Sequence, residues 1–189
     1  MLLPKYGDFE FKYNGETFTG KCSFGNLTKL GTPKDIIYKV NLVNDYWVAR
    51  IILQCFIDGE LPSFCEDDPI NRLGARRASQ DSRTFVITMA KHCIHHSMTG
   101  KVKEGKSSAK SESVTEFDPY EFIESAMELL ELTKEEAANL SMTEYIARIE
   151  AKPWYKEAMK KEGGKLTLKQ QKELLDEQRE MDKKLKARN

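Results

Sequence analysis

Between Asp118 and Glu150 the chain writes the signals that open a helix three times. Asp118-Pro119-Tyr120-Glu121 offers an acid to cap the first turn, a proline where the free N–H is dispensable, and a glutamate three residues on. Thr133-Lys134-Glu135-Glu136 and Ser141-Met142-Thr143-Glu144 repeat the pattern. Phe117 and Phe122, Leu132 and Ala137, and Leu140 and Tyr145 stand at the paired apolar positions that staple such an entry. A capping residue adopts non-helical backbone, so each new cap interrupts whatever came before it. The spacing predicts helices over 118–131, 133–139 and 141–151, folded into a corner. Phe122, Ile123, Met127, Leu130, Leu140, Tyr145, Ile146 and Ile149 are its candidate core. One longer, kinked helix is the competing reading.

The N-terminal part reads differently. Asp8 to Tyr13 alternates polar and aromatic residues, Asn14-Gly15 signals a tight turn, and Thr17 to Cys22 resumes the alternation. A hairpin is expected there, and a lone hairpin needs something to pack on. A short helical turn over Phe24–Leu30 should close at Gly31. Thr32-Pro33-Lys34-Asp35 opens the next helix, with Ile36, Ile37, Val40 and Val43 on one face. Asn44 or Asp45 caps another, whose apolar face is read as Trp47, Val48, Ile51, Ile52, Cys55 and Phe56, stopped at Asp58-Gly59. Residues 59–80 are a mixed loop and short-helix region, and a helix is expected from Asp81 to Met98 with Phe85, Val86, Met89, Ala90 and Cys93 inward.

The fold class that follows is mainly α with a small N-terminal β-hairpin (α+β), a C-terminal small helical module and a charged helical tail. Residues 1–99 form the hairpin and helical domain. Residues 100–114, rich in Gly, Ser and Lys, read as a flexible linker with little to bury. Residues 115–151 are the helical module and 152–189 a charged, partly helical tail. Charge is uneven: residues 112–150 hold eleven acids and two bases, and 152–189 hold twelve bases and seven acids. The simpler reading is solvated surfaces; the sharper one is that the basic tail docks on a partner or folds back on the acidic module. The formal net charge of +0 argues against a protein whose main task is gripping nucleic acid. No basic segment followed by a long apolar run marks a targeting signal, and Arg50 and Gln54 interrupt the longest apolar stretch. Soluble, intracellular and reduced is the expected setting, with Cys22, Cys55, Cys65 and Cys93 too sparse for a disulfide scaffold.

Few residues invite chemistry. In His92-Cys93-Ile94-His95-His96, His92 and His96 share a helical face at a spacing that can hold zinc, but a fourth ligand is not evident, there is no Cys-x-x-Cys or His-Glu-x-x-His, and an exposed helix end is the simpler reading. His92 and Cys93, being adjacent, point different ways around a helix and make a poor nucleophile pair. Asp67-Asp68 and Glu135-Glu136 are paired acids of the kind common in loops and first turns. Gly100 to Ser107 matches the phosphate-loop pattern letter for letter. It lacks the preceding strand and following helix that would converge N–H groups on phosphate. Arg72, Arg76 and Arg77 form a small basic cluster without interleaved aromatics. No catalytic, cofactor-binding or metal residues are assigned, and no cofactor is expected; the partner-binding residues are not legible at this level.

One set of segments has a familiar look. Ser23-Phe24-Gly25-Asn26-Leu27 leads through Leu30-Gly31-Thr32-Pro33 to Asp35-Ile36-Ile37, and a helix bearing Trp47 and Cys55 runs into Asp58-Gly59-Glu60-Leu61. Later come Leu132-Thr133, Glu135-Glu136, Leu140-Ser141 and Glu144-Tyr145. This resembles the tail assembly chaperone type of protein encoded by long-tailed bacteriophages, over residues 20–65 and 117–150. The resemblance implies a non-enzymatic protein of the host cell cytoplasm. Its partners would be the tape-measure protein, a long helical chain, and the tail-tube protein that polymerises around it. A minor structural tail component kept in the virion and a nucleic-acid-associated phage protein are the alternatives.

Overall fold

The computed structural model describes residues 4–13, 15–62, 80–100, 116–162 and 168–186. The chain is mostly helical with a two-stranded antiparallel hairpin near its start, as the periodicity predicts. After a single 3-10 turn, β1 (Phe9–Tyr13) pairs with β2 (Glu16–Gly20), Phe9 opposite Gly20 and Phe11 opposite Phe18. Gly15 takes φ +82°, a left-handed value that a tight turn requires and that glycine adopts without steric cost. Gly20 is needed for another reason. The Phe9 ring lies over it, and a Cβ there would stand 2.1 Å from Phe9 Cζ.

The hairpin does not stand alone. Lys21 N–H donates to the Phe56 carbonyl (2.9 Å) and Asp58 N–H to the Thr19 carbonyl (2.9 Å), which stitches β2 to the end of a helix. That helix is α3 (Tyr46–Phe56), preceded by α1 (Phe24–Thr28) and α2 (Pro33–Asn41). Thr32 and Asp35 close a full capping box on α2, and Asp45 caps α3 by accepting from the N–H groups of Trp47 and Val48. The next helix, α4 (Gln80–Ile94), packs along α3, and its last turn widens into a π-helical turn over His95–Thr99. Phe9 from the hairpin, Leu27, Ile36, Ile52, Leu53, Phe56, Val86, Ala90 and Cys93 form the first core. Phe11 packs edge-on against Phe85, ring centroids 5.0 Å apart.

The C-terminal part builds a second core. α5 (Pro119–Leu130), α6 (Lys134–Ala138) and α7 (Met142–Ala151) occupy nearly the spans that the three caps predict. The reversal between α5 and α6 turns on Glu131, held at φ 58° in the left-handed region. Only the middle cap forms the reciprocal box, with Thr133 and Glu136 bonded both ways. Asp118 accepts from Tyr120 N–H instead of from Glu121 (2.9 Å). Ser141 accepts from Glu144 N–H (3.1 Å), while the Glu144 carboxylate takes Arg148 (2.6 Å). A nearby guanidinium outcompetes a backbone donor because both partners are charged. Met127, expected inside, is 38% exposed; Ala126 and Leu129 face the core in its place.

The residues read as a charged tail form α8 (Pro153–Glu162) and α9 (Leu168–Lys186), and they return to the module. Trp154, Tyr155 and Ala158 are buried in the second core. Lys172 pairs with Glu128 on α5 (3.1 Å), and Tyr145 donates to Gln171 on α9 (3.2 Å). Of the readings of the charge asymmetry, folding back on the acidic module is what the geometry shows, against the simpler expectation of solvated surfaces.

The two cores are joined. α1 sends Leu27 into the first and Phe24 into the second, where its ring stacks on Phe122 at 5.7 Å. Phe24 N–H donates to the Leu140 carbonyl at 2.8 Å. Gly25 allows this approach: a Cβ there would lie 3.1 Å from the Ala138 carbonyl oxygen. Phe117 packs against both cores.

Candidate functional site

An apolar groove runs along the outer side of α3. An α-helix places residues three and four apart on one face. Trp47, Arg50, Ile51, Gln54 and Cys55 therefore line up, and with Leu61 they bound a groove of about 430 Å³. Ile51 is 50% exposed, a large amount for an isoleucine in the middle of an apolar helix. Arg50 leans over the Trp47 ring, 5.9 Å from its centroid, and Gln54 Nε2 donates to the Gly59 carbonyl at 2.9 Å, so the walls are tethered. Burial pushes the Cys55 thiol up, which keeps it protonated and makes it an apolar lining atom rather than a nucleophile. Tyr38 on α2 (67%) and Leu42 just after it (39%) are further exposed apolar residues.

The apolar face read from α3's sequence is therefore corrected. Ile52 and Phe56 point inward as expected. Tyr46, Ala49 and Leu53 join them, whereas Trp47, Val48 and Cys55 are half-buried and Ile51 faces out. Apolar residues spread beyond one face of the helix, so periodicity alone did not single out the buried side. Tertiary packing put Tyr46, Ala49 and Leu53 inward.

A second site gathers polar chemistry from distant parts of the chain. Residue 22 leaves the hairpin and residues 92–96 close α4, yet they meet around the Gly7 carbonyl. Cys22 Sγ donates to that oxygen at 2.9 Å and His92 Nε2 lies 2.8 Å from it. Gly7 takes φ +102°, and a Cβ on it would collide with His96 Cβ at 2.3 Å, so the backbone can approach only as glycine. Cys22 and Cys93 are fully buried. The Cys93 thiol, hydrogen-bonded to Cys22, brings the Cys22 thiol down to about 7, with burial opposing and His92 assisting. Burial drives Cys93 well up, and its bond to Cys22 adds to this. The hydrogen bond with Cys22 raises His92 against the effect of burial.

The histidines are not an exposed helix end. His92 is half-buried and stands edge-on to Phe9, with its ring 4.6 Å from that of His96. His96 Nδ1 lies 2.9 Å from Thr143 Oγ1, a bond between the first and second cores. Burial, then the neighbouring His92 and His95, lowers His96 to about 4. Among the described residues no group of three or more His, Cys, Asp or Glu side chains is arranged to hold a metal ion. The sequence could not announce Cys22 as a neighbour of His92 and Cys93, because nothing local links a residue after a hairpin to one in a helix seventy positions on.

Other candidates resolve plainly. Glu136 is the acid of a capping box, and its carboxyl is held low by the Thr133 backbone N–H and hydroxyl. Asp67, Asp68, Arg72, Arg76, Arg77 and the stretch from Lys101 to Ser107 lie outside the described residues. Among those described, no helix is long and apolar enough to cross a membrane.

Compared with known proteins, residues 47–165 match the family model described as Family of unknown function (DUF6246). The match starts at Trp47 on the groove and runs through α8 into the segment after it, so it takes in the groove, the histidines and most of the second core. No curated protein and no solved structure matches the chain.

Proposed function

The chain belongs to the DUF6246 family, whose description assigns no activity, and we propose that it is a binding protein: a non-catalytic tail assembly chaperone of a long-tailed bacteriophage. The observation that carries this reading is the groove on α3. A chain that fills two joined cores, yet leaves Trp47, Ile51 and Leu61 around an open cleft, keeps apolar surface for something else. The occupant that fits is an amphipathic helix, whose apolar side chains enter such a groove at helical spacing. In the tail assembly setting implied by the resemblance, that helix belongs to the tape-measure protein, and the tail-tube protein is the next partner. The complex forms in the host cell cytoplasm, and the chaperone leaves before the virion is finished.

A groove of this size supports moderate affinity, because association first has to offset lost translational freedom and side-chain ordering. Moderate affinity suits a protein that releases its client. The test is co-expression with the long tape-measure-like protein that the reading expects to be encoded nearby, followed by pull-down and a solubility assay, together with mass spectrometry of purified particles. Co-purification and a soluble client, with the chaperone absent from particles, is the expected result. Many copies in the particle would replace this reading with that of a structural tail component. Salt-dependent DNA binding near micromolar affinity, with no client binding, would replace it with a nucleic-acid role.

A further inference from the structure

We propose that the surface of the second core covered by α9 is an exchange site, and that its other occupant is the α9 of a second copy of this chain. A helix is replaceable when its seat survives without it, and α9 is held in that way. Among its described side chains only Gln171 is buried, while Leu174 and Leu175 pack half-buried against the second core. α8 is seated differently, with Trp154, Tyr155 and Ala158 all buried, so it keeps its place when α9 leaves.

The seam under α9 is polar. The Tyr145 hydroxyl donates to Gln171 Oε1 at 3.2 Å, and Ser125 Oγ lies 2.9 Å from the same hydroxyl. Withdrawing Gln171 leaves Ser125 and Tyr145 bonded to one another and open to water, so no buried polar group is orphaned. Lys172 and Glu128 pair at 3.1 Å with side chains 41% and 37% exposed, and Arg179 Nη2 donates to the Glu128 carbonyl at 3.4 Å. Solvent-exposed ion pairs add little stability; they select a helix rather than lock it.

The seat also states what it takes. Tyr145 asks for a carbonyl acceptor, the Glu128 carboxylate for a cation at the next position, and the Glu128 carbonyl for a second cation seven residues further on. Apolar side chains three and four positions past the acceptor fill the space between. Gln171, Lys172, Leu174, Leu175 and Arg179 meet that set from one helix. α5 carries Glu121, Glu124 and Glu128 and no base, which favours the cations of α9 on this side and turns Glu173, Asp176 and Glu177 to solvent. Every second copy brings the same side chains in the same register. Reciprocal exchange, each α9 on the other chain's α5 and α7, fills both seats and closes a two-fold dimer. The closed and exchanged forms share these contacts, so concentration sets their balance against the advantage of the tethered helix. This surface belongs to the second core, and the proposal does not rest on what the α3 groove binds.

The experiment uses full chains carrying Cys55→Ser and Cys65→Ser, which leaves only the buried Cys22 and Cys93 beside any introduced thiol. One chain adds Glu128→Cys and a second adds Lys172→Cys, at positions exposed enough to tolerate the change. The two are mixed at rising concentration, with time points extending to days, and treated with a short bismaleimide. A third chain carrying both substitutions reports the seat as folded. The expected result is a covalent dimer of the two different chains, mapped by peptide mass to a bridge between positions 128 and 172. Its share should rise several-fold with concentration, while the third chain bridges within itself at every concentration. An unbridged mixture beside an internally bridged third chain would overturn the proposal, since α9 would then never leave its own seat. Bridges joining only 128 to 128 or 172 to 172 would also overturn it, by placing the contact between copies elsewhere. A third chain that fails to bridge within itself would remove the seat on which the proposal stands.

Discussion

His96 ties the two halves together and carries an electrostatic signature that can be measured. Its ring is held neutral in the fold, its pKa lowered to about 4 chiefly by burial, against about 6.5 when the chain is unfolded. Between those values the unfolded chain binds a proton that the fold refuses, so this contribution is complete above about pH 6.5 and is lost as pH falls toward 4. Thermal unfolding followed across that window should show a steeper acid-side loss of stability in the wild type than in His96→Asn. Parallel curves would contradict the assignment. Caps make smaller claims. Ser141→Ala removes the acceptor of the Glu144 N–H and should cost roughly 1 kcal/mol, with faster amide exchange in the first turn of α7. Phe24→Ala empties a fully buried site at the junction and should cost about 3–5 kcal/mol by chemical denaturation.

At the scale of elements, the account turns on what local signals can and cannot fix. Thr32, Thr133 and Ser141 each start a helix where they should, because a cap is a contact between a side chain and a backbone three residues away. The hairpin register is equally local, set by a turn at Gly15 and by Phe11 facing Phe18. Face selection is not local. On α3 apolar residues spread beyond one face, and tertiary packing put Ala49, Ile52, Leu53 and Phe56 inward and left Ile51 outward, which is why the groove was not legible beforehand. The thiol–imidazole cluster was hidden for the same reason, since Cys22 and His92 meet only through tertiary packing. The tail shows the limit of composition. Its charge density suggests a solvated helix, yet Trp154 and Tyr155 are anchors in the second core. A chain stopped after Glu150 should lose on the order of 3–6 kcal/mol from those two side chains alone. It should bind a hydrophobic dye more strongly than the full chain does; unchanged stability would show that α8 and α9 contribute nothing to the core.

For the whole molecule, the interlocking of the cores matters most. Phe24, Phe117 and the bond between His96 and Thr143 cross from one to the other, so the hairpin half and the helical half should unfold in one transition. A rigid body of that kind can present the α3 groove without reshaping it, which is what a surface that must capture and then release a helix needs. The measurement that bears most directly on this is co-expression of the tape-measure protein with the wild-type chain and with Ile51→Glu. Ile51 is half exposed, so the change should leave the melting temperature nearly untouched while placing a charge in the groove. The account predicts that the wild type keeps the tape-measure protein soluble and co-purifies with it, and that Ile51→Glu folds normally but does neither. Equal rescue by both chains, or by neither, would contradict it.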